Sequence, residues 1–392
     1  MLYDNVYSVL KTAVDHNIAA GINVLVLQNG EEKLYCEYGH RDLENKIPMK
    51  RDTILRMYSQ TKPITSAAVM LLVSEGKIDL AANVKEYLPF FKCSYVNRNG
   101  KRIQASANIT IRDLMNMTSG LPYPNDINAA GIQCGNIYKT VAERLYSDNP
   151  VTTEEFAKMS ASSDLCFEPG EQFMYGISAD IMGAVIEKVS DMRFGEFLKK
   201  RFFEPLEMND TAFYVPKEKR DRLAKVYDYY EHGLIESKTD HLGLRYQRDI
   251  APAFESGGAG LCSTLDDYSH FAQMLLNMGT YKSHRIMPEA AVRRMTSGGL
   301  NNIQKPFLIS QGWDWLTGYS YGNFFRVCEN PDTASIFSGK GEYGWDGWLG
   351  TFFSNEPEYK ITYLLGVQQF SLGNTQTYTR RIKNIIMSEL AK

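Results

Sequence analysis

Nowhere in the chain do apolar residues run uninterrupted for the 18 or so positions that a membrane-crossing helix needs. The opening residues, MLYDNVYSVLKTAVDH, place Asp4 early and lack both a basic start and an apolar stretch. They do not read as a secretory leader, and a cytoplasmic location is expected. Cysteine is sparse: Cys36, Cys93, Cys134, Cys166, Cys262 and Cys328 lie far apart, with no C-x-x-C pair. In a cytoplasmic chain such thiols are expected to be free and mostly buried, which argues against a disulfide frame or a zinc site. The six histidines include no pair at metal-ligand spacing and no H-E-x-x-H, so no metal and no other cofactor is expected. Charge of one sign is also lacking. With 43 basic and 46 acidic residues the net charge is -3, and nothing favours nucleic acid or an anionic membrane as partner. The run Lys217 to Lys225 contains Glu218 and Asp221 and reads as a solvated face. Repeats and low-complexity linkers are absent, and nothing in the sequence speaks to oligomeric state.

What is present is a regular alternation of elements. Val6, Leu10 and Val14 give the first segment one apolar helical face. INVLVLQNGEEKLYCEYG predicts two strands joined at Asn29–Gly30, and a short strand follows around Thr53–Met57. A helix begins near Ser59, carries Ile64, Ala67, Ala68, Leu71 and Leu72 on its apolar face, and stops at Gly76. The middle of the chain is loop-rich with helical pieces, among them TIRDLMNM behind a Thr110–Asp113 capping box and SADIMGAVIEKVS with Ser178 as its N-cap. Beyond Glu255 come a capped helix in STLDDYSHFAQMLLNMG, aromatic and β-branched strands from Tyr321 to Gln368 turning at Glu356–Pro357, and a closing helix, TRRIKNIIMSEL. This order predicts a two-lobed α+β fold. Residues 1–78 and 255–392 form an antiparallel sheet flanked by helices, residues 79–254 form a mostly helical lobe, and the cleft between them is the natural site.

Three serines sit three residues before a lysine: Ser8/Lys11, Ser59/Lys62 and Ser74/Lys77. The first pair points away from the apolar stripe of its helix. The last straddles a helix end, where the negative end of the macrodipole offers an anion nothing. Around Ser59 the context differs. Pro63 is tolerated only in the first turn of a helix, which fixes the start at Ser59–Lys62. Free N–H groups and the positive dipole end then surround the serine oxygen, and Lys62 shares its face. An ordinary lysine, of pKa about 10.4, is protonated at neutral pH and cannot act as a base unless desolvation or a neighbouring cation lowers it. On these residues alone, a helix cap beside a surface lysine stands as an alternative to a nucleophile with its partner.

Other motifs fail. GYSYG (Gly318–Gly322) matches G-x-S-x-G, but NFFRVC after it reads as strand, and no histidine follows Ser320 to complete a hydrolase triad. GKGEYG (Gly339–Gly344) matches G-x-G-x-x-G, yet β-like sequence follows where a dinucleotide fingerprint needs a helix.

Four segments taken together carry a resemblance. YSQTKPITSAAVMLLVSEGKIDL, ITIRDLMNMTSGLPY, FEPGEQFMYGISADIMGAVIEKVS and FESGGAGLCSTLDDYSHFAQMLLNMG occur in an order similar to that of class C β-lactamases. Family VIII carboxylesterases and D-alanyl peptidases related to penicillin-binding proteins share this order. The resemblance implies that Ser59 is an acylated nucleophile with Lys62 as its partner. It also implies that Tyr175 is the tyrosine of a Y-x-N element, its phenol acidified beside a charged Lys62 and shuttling the serine proton. An edge-strand K-T-G or H-x-G element aligns with Trp345, Asp346 and Gly347, and the backbone N–H groups of Ser59 and Trp348 would form an oxyanion hole.

Two positions depart from the β-lactamase pattern. Ile177 replaces an amide-binding asparagine, and Trp345 replaces a carboxylate-binding lysine or histidine. A site without these handles loses its preference for substrates that need them. The W-x-G form is similar to that of the family VIII esterases. The expectation is a serine hydrolase for small uncharged esters, with Ile177, Trp345 and Gly347 at the substrate and Lys340 as a candidate replacement cation. β-Lactamase or D-amino-acid peptidase activity on a small amide, and a non-catalytic binding protein of the same fold, are the alternatives. Met117, where relatives carry histidine in H-T-S-G-L, is read as structural.

Overall fold

The computed structural model describes residues 1–92, 94–98, 101–230, 233–370 and 374–392. Cys93 and His232 lie outside them. The two ends of the chain build one eight-stranded sheet. Helix α1 (Leu2–Asp15) leads into β1 (Gly21–Gln28), which turns back into β2 (Glu31–Asp42). At the turn Asn29 (φ 56°) and Gly30 (φ 80°) both take left-handed backbone, the twist a two-residue hairpin requires. The short β3 (Ile47–Pro48) closes that edge. From the far end come β4 (Tyr319–Gly322), β5 (Phe325–Cys328), β6 (Tyr343–Asp346), β7 (Phe352–Glu356) and β8 (Ile361–Gly366). The spatial order is β4-β5-β6-β7-β8-β1-β2-β3, antiparallel throughout.

Strand β1 reads as a near-continuous apolar run because both its faces are covered, as a strand enclosed on two sides requires. Val24 and Val26 pack with Val6 and Leu10 of α1 and with Ile382 and Ile386 of the terminal helix, while Leu25 joins the larger core on the opposite face. Five helices between these ends matter for the site: α2 (Thr61–Ser74), α3 (Ile111–Met115), α4 (Ala129–Arg144), α5 (Ser178–Ser190) and α6 (Leu265–Leu276). Helix α7 (Asn374–Leu390) closes the chain. The middle segment also contains two pairs of short strands, Tyr95–Arg98 with Lys101–Gln104 and Tyr227–Tyr230 with Gly233–Glu236.

Several local expectations hold. The Thr110–Asp113 capping box forms in both directions, Thr264 caps α6, and Gly76 (φ 70°) follows the end of α2. Cys36, Cys134, Cys166, Cys262 and Cys328 are free thiols. Ser320 of the rejected G-x-S-x-G motif is fully enclosed on β4. Among the described residues no helix is long and apolar enough to cross a membrane.

Two expectations need correction. Ile177, not Ser178, occupies the cap position of α5; the Ser178 hydroxyl is instead bonded to Ser119 Oγ at 2.9 Å. Helix α2 was expected to show one apolar face, but every residue from Thr61 to Leu72 is buried. It packs against α5, the helix Glu289–Met295 and β6, so polar residues at its start are enclosed as well.

Candidate active site

Ser59 lies in a 3₁₀ turn, Tyr58–Gln60, that runs directly into α2. Tyr58 before it has φ 45°, a conformation that opposes a side chain by about 1–2 kcal/mol. The Tyr58 ring is wedged against Trp348 (5.5 Å) and His241 (5.7 Å). Ser59 stays half-buried while its neighbours are enclosed, and its turn leads straight into the positive, N-terminal end of the α2 dipole.

Lys62 is wholly enclosed. Its Nζ lies 3.0 Å from Ser59 Oγ, 3.0 Å from the Tyr123 hydroxyl and 2.8 Å from the Gly258 carbonyl. None of these partners is charged. Burial therefore lowers the Lys62 pKa to about 7, with the Asp180 charge acting in the opposite direction. A neutral amine keeps two N–H groups for Tyr123 and Gly258 and has a lone pair for the Ser59 proton.

Tyr175 sits above the same amine, with Lys62 Nζ 4.6 Å from its ring centroid. Gly176 makes that position possible: a Cβ there would fall 1.9 Å from the Leu121 carbonyl. The loop consequently lies flat on Leu121–Pro122, which brings the Tyr123 and Tyr175 rings to 5.6 Å. The expected acidification of Tyr175 is not found. Burial raises its pKa, and hydrogen bonds with Ser59 and Trp345 offset this only in part. Tyr175 is a neutral phenol, and Lys62 is the group poised to exchange a proton near neutrality.

Trp345 was expected at the substrate, without the polar handle of a lysine or histidine. It is buried at 4% exposure and donates its indole N–H to the Tyr175 hydroxyl at 2.8 Å. Tyr321 (4.9 Å) and Trp313 (5.6 Å) pack on the indole, and Trp313 also meets Tyr175 at 5.0 Å. Strand β6 is not the edge strand the reading assumed, because β4 and β5 lie outside it. Only Tyr343 and Gly344 pair with β5, however, so Trp345 and Asp346 run past that partner. Gly347 then approaches the backbone before Ser59 so closely that a Cβ would stand 2.5 Å from the Met57 carbonyl. The next residue, Trp348, is 40% exposed, with its indole stacked at 3.6 Å on His241 and edge-on to Phe370 at 4.4 Å. Burial and Arg248 hold His241 near pKa 4, so its ring is neutral. Ile177 is enclosed in the core at 1% exposure. Lys340 is exposed on the turn that enters β6, at the end of the strand away from Gly347.

The structure thus brings Ser59, Lys62, Tyr175, Trp345 and Gly347 near one another and adds Tyr123, Gly258, Asp180 and Trp313, which the sequence did not single out. Tyr123 ends the quoted segment ITIRDLMNMTSGLPY and was open to notice there. Asp180 and Gly258 also lie in quoted segments, but only the folded chain brings them, and Trp313, to Lys62 or Tyr175.

A helix-start serine, an enclosed lysine and a phenol on this sheet-and-helix frame define a serine hydrolase of the β-lactamase and penicillin-binding-protein type. The family described as Beta-lactamase matches residues 8–384, and the chain belongs to it. Protein Rv1367c of Mycobacterium tuberculosis is 28% identical over 369 residues, covering 92% of this chain and 88% of that protein. Esterase EstB of Burkholderia gladioli is 26% identical over 362 residues, covering 88% and 84%. Among solved structures, EstCE1, described as a hydrolase with promiscuous acyltransferase activity, superposes with a TM-score of 0.81 at 24% identity, over 98% of each chain.

Proposed function

We propose that this protein is a carboxylesterase that cleaves small uncharged esters through an acyl-enzyme on Ser59. The observation that carries the reading is the Lys62 amine, fully enclosed, brought near neutral pKa by burial and 3.0 Å from the Ser59 hydroxyl. In this reading Lys62 takes the Ser59 proton as Oγ bonds to the ester carbon. The carbonyl π electrons move to oxygen, which accepts N–H bonds from Ser59 and Trp348. Such donors contribute roughly 3 kcal/mol each. The Gly347 contact with Met57 supports the pairing, since it holds the Trp348 turn against the nucleophile. The tetrahedral centre collapses, the C–O bond breaks, and the alkoxide leaves with the proton carried by Lys62. The neutral Tyr175 phenol hydrogen-bonds Ser59 throughout. Water then gives a proton to Lys62 as its oxygen bonds to the acyl carbon; the C–Oγ bond breaks, Ser59 Oγ takes that proton back from Lys62, and the acid leaves.

Preference for an ester over a β-lactam or a D-amino-acid peptide rests on the replaced handles. Trp345 presents an indole committed to Tyr175, Ile177 is an apolar side chain enclosed in the core, and Lys340 lies before the start of β6, at the end away from Gly347. The similarity to EstB supports the same choice. The whole chain acts as one catalytic domain, with segments 1–78 and 255–392 meeting segment 79–254 at the site. Its free thiols suit the reducing cytoplasm.

The test compares hydrolysis of short-chain p-nitrophenyl esters with that of a chromogenic cephalosporin, in wild type and Ser59→Ala. Rapid ester turnover abolished in the variant is the expected result. Faster cephalosporin turnover would reverse the substrate assignment, and inertness toward both would favour a binding protein.

A further inference from the structure

The reaction just proposed makes no use of a carboxylate buried beside it. Asp180, in the first turn of α5, is 1% exposed. Its Oδ1 is committed to the loop opposite, accepting from Ser256 Oγ at 2.5 Å and from the Gly258 N–H at 3.1 Å. Its Oδ2 is equally enclosed and has no hydrogen-bond partner among the described residues. Gly258 shows where that oxygen points. A side-chain carbon placed there would lie 2.8 Å from Oδ2 and 3.1 Å from the Tyr123 hydroxyl, so both oxygens border one small space. The Tyr123 oxygen in turn lies 3.0 Å from Lys62 Nζ. When the phenol accepts an N–H from Lys62, its own proton needs an acceptor, and Oδ2 is an acceptor without a donor.

We propose that Asp180 is the counter-ion of Lys62, linked to it through Tyr123, and that its negative charge stabilises the ammonium formed when Lys62 takes the proton from Ser59. This deepens the esterase reading and rests on its assignment of Lys62 as base. Asp180 touches neither Ser59 nor the substrate space, so it is a positioning residue. The titratable groups facing it are Lys62 from α2, Cys134 and Tyr138 from α4, and Tyr123 and Tyr175 from the two flanking loops. Burial raises all three phenols and pushes the Cys134 thiol up to about 12, so these four stay neutral. Lys62 alone changes charge near neutrality. Burial raises Asp180 itself, while Ser256, Lys62 and the Gly258 N–H work against that rise. The two buried ions therefore support one another.

Asp180→Asn separates this role from a structural one. It preserves shape and the Oδ1 acceptor but removes the charge. The readout is the rate at which a fluorophosphonate labels Ser59 as a function of pH. Labelling falls on the acid side as Lys62 gains its proton. Without the anion that limb should move to lower pH by about one unit or more, the effect of an opposite charge within several ångströms. Ser256→Ala, which loses the structural bond and keeps the charge, should leave the limb in place. A coincident profile for Asp180→Asn and wild type overturns the proposal, whatever happens to stability. If Asp180→Asn does not fold, Tyr123→Phe is read the same way: an acid shift supports the link, and an unmoved limb overturns it. Labelling that persists in Ser59→Ala is a separate outcome that sinks the nucleophile assignment instead.

Discussion

Lys62 and Lys383 are both enclosed, at 0% and 1% exposure, yet the protein surrounds them in opposite ways. Lys383, on α7, lies 3.1 Å from Glu342 and 2.9 Å from Glu356, with Ser338 Oγ also at 2.9 Å. Arg326 on β5 extends the cluster to Asp346 at 2.7 Å and to Glu342 at 3.1 Å. Burial opposes charge here too and raises Glu356, but at Glu342 and Arg326 opposite charges prevail. Glu342 is held below the usual carboxylate range by Lys383 and Arg326, and Arg326 is held above its ordinary pKa by Glu342 and Asp346. Lys62 has hydroxyls and a carbonyl around it and, among the described residues, no carboxylate within ion-pair distance. With only dipoles as partners, desolvation is offset incompletely and the pKa moves toward neutrality. The same dry interior thus makes one lysine a strut and the other a proton carrier, and the difference is whether a carboxylate is in contact.

The sharpest way to break that contrast is to remove each ammonium. Lys62→Met should lower kcat for ester hydrolysis by about 10³-fold, within the range general-base removal produces. Its effect on stability carries a sign. Lys62 has a folded pKa of about 7 and an unfolded one near 10.4. Below pH 7 both states are protonated, and the full penalty of burying the ammonium is present. Between the two values the unfolded chain binds more protons, so wild-type stability rises with pH through that window. Denaturant melts should show wild type gaining on Lys62→Met by about 1.4 kcal/mol per pH unit above neutrality. A constant difference would mean that the amine is not held neutral. Lys383→Met should behave conversely. It leaves Glu356 without its ionic partner and Glu342 with Arg326 alone, and should destabilise the fold by about 3–5 kcal/mol, with kcat per folded molecule changed only a few-fold. Calorimetry and active-site titration measure the two quantities separately.

The sequence revealed the frame more readily than the contacts inside it. Runs such as INVLVL and the Asn29–Gly30 turn announce strands because burial and hairpin geometry demand those residues locally. Pro63 marked the start of α2 and thereby singled out Ser59 from two similar serines. The partners of Lys62 were hidden because they are remote: Tyr123 is 61 residues away and Gly258 is 196. One phenol among 24 carries no local mark of such a role. The pKa order was inverted for a related reason. It depends on how completely both Lys62 and Tyr175 are enclosed, and α2 looked one-sided until the elements packing around it were placed. Strand β6 is not an edge because β4 and β5 add outside it, a matter of topology that leaves no mark in the local sequence.

Trp345 provides the finest probe of the comparison, since it neighbours Asp346 of the charged cluster yet serves the neutral site. Its indole N–H is a donor to the Tyr175 hydroxyl, while its ring fills the space between Tyr321, Trp313 and Tyr175. Trp345→Phe keeps an aromatic ring in that packing and deletes the donor. One neutral hydrogen bond is worth about 1 kcal/mol, so kcat should fall by roughly five- to tenfold. KM should hardly move if Trp345 acts by orienting Tyr175 rather than by touching the ester. A rise in KM at unchanged kcat would instead make the indole a wall of the substrate space, as its sequence position first suggested. Because Asp346 keeps its bond to Arg326 in this variant, melting should shift by only a few degrees. A collapse in stability would show that the aromatic packing around Trp345, and not its N–H, is what the site depends on.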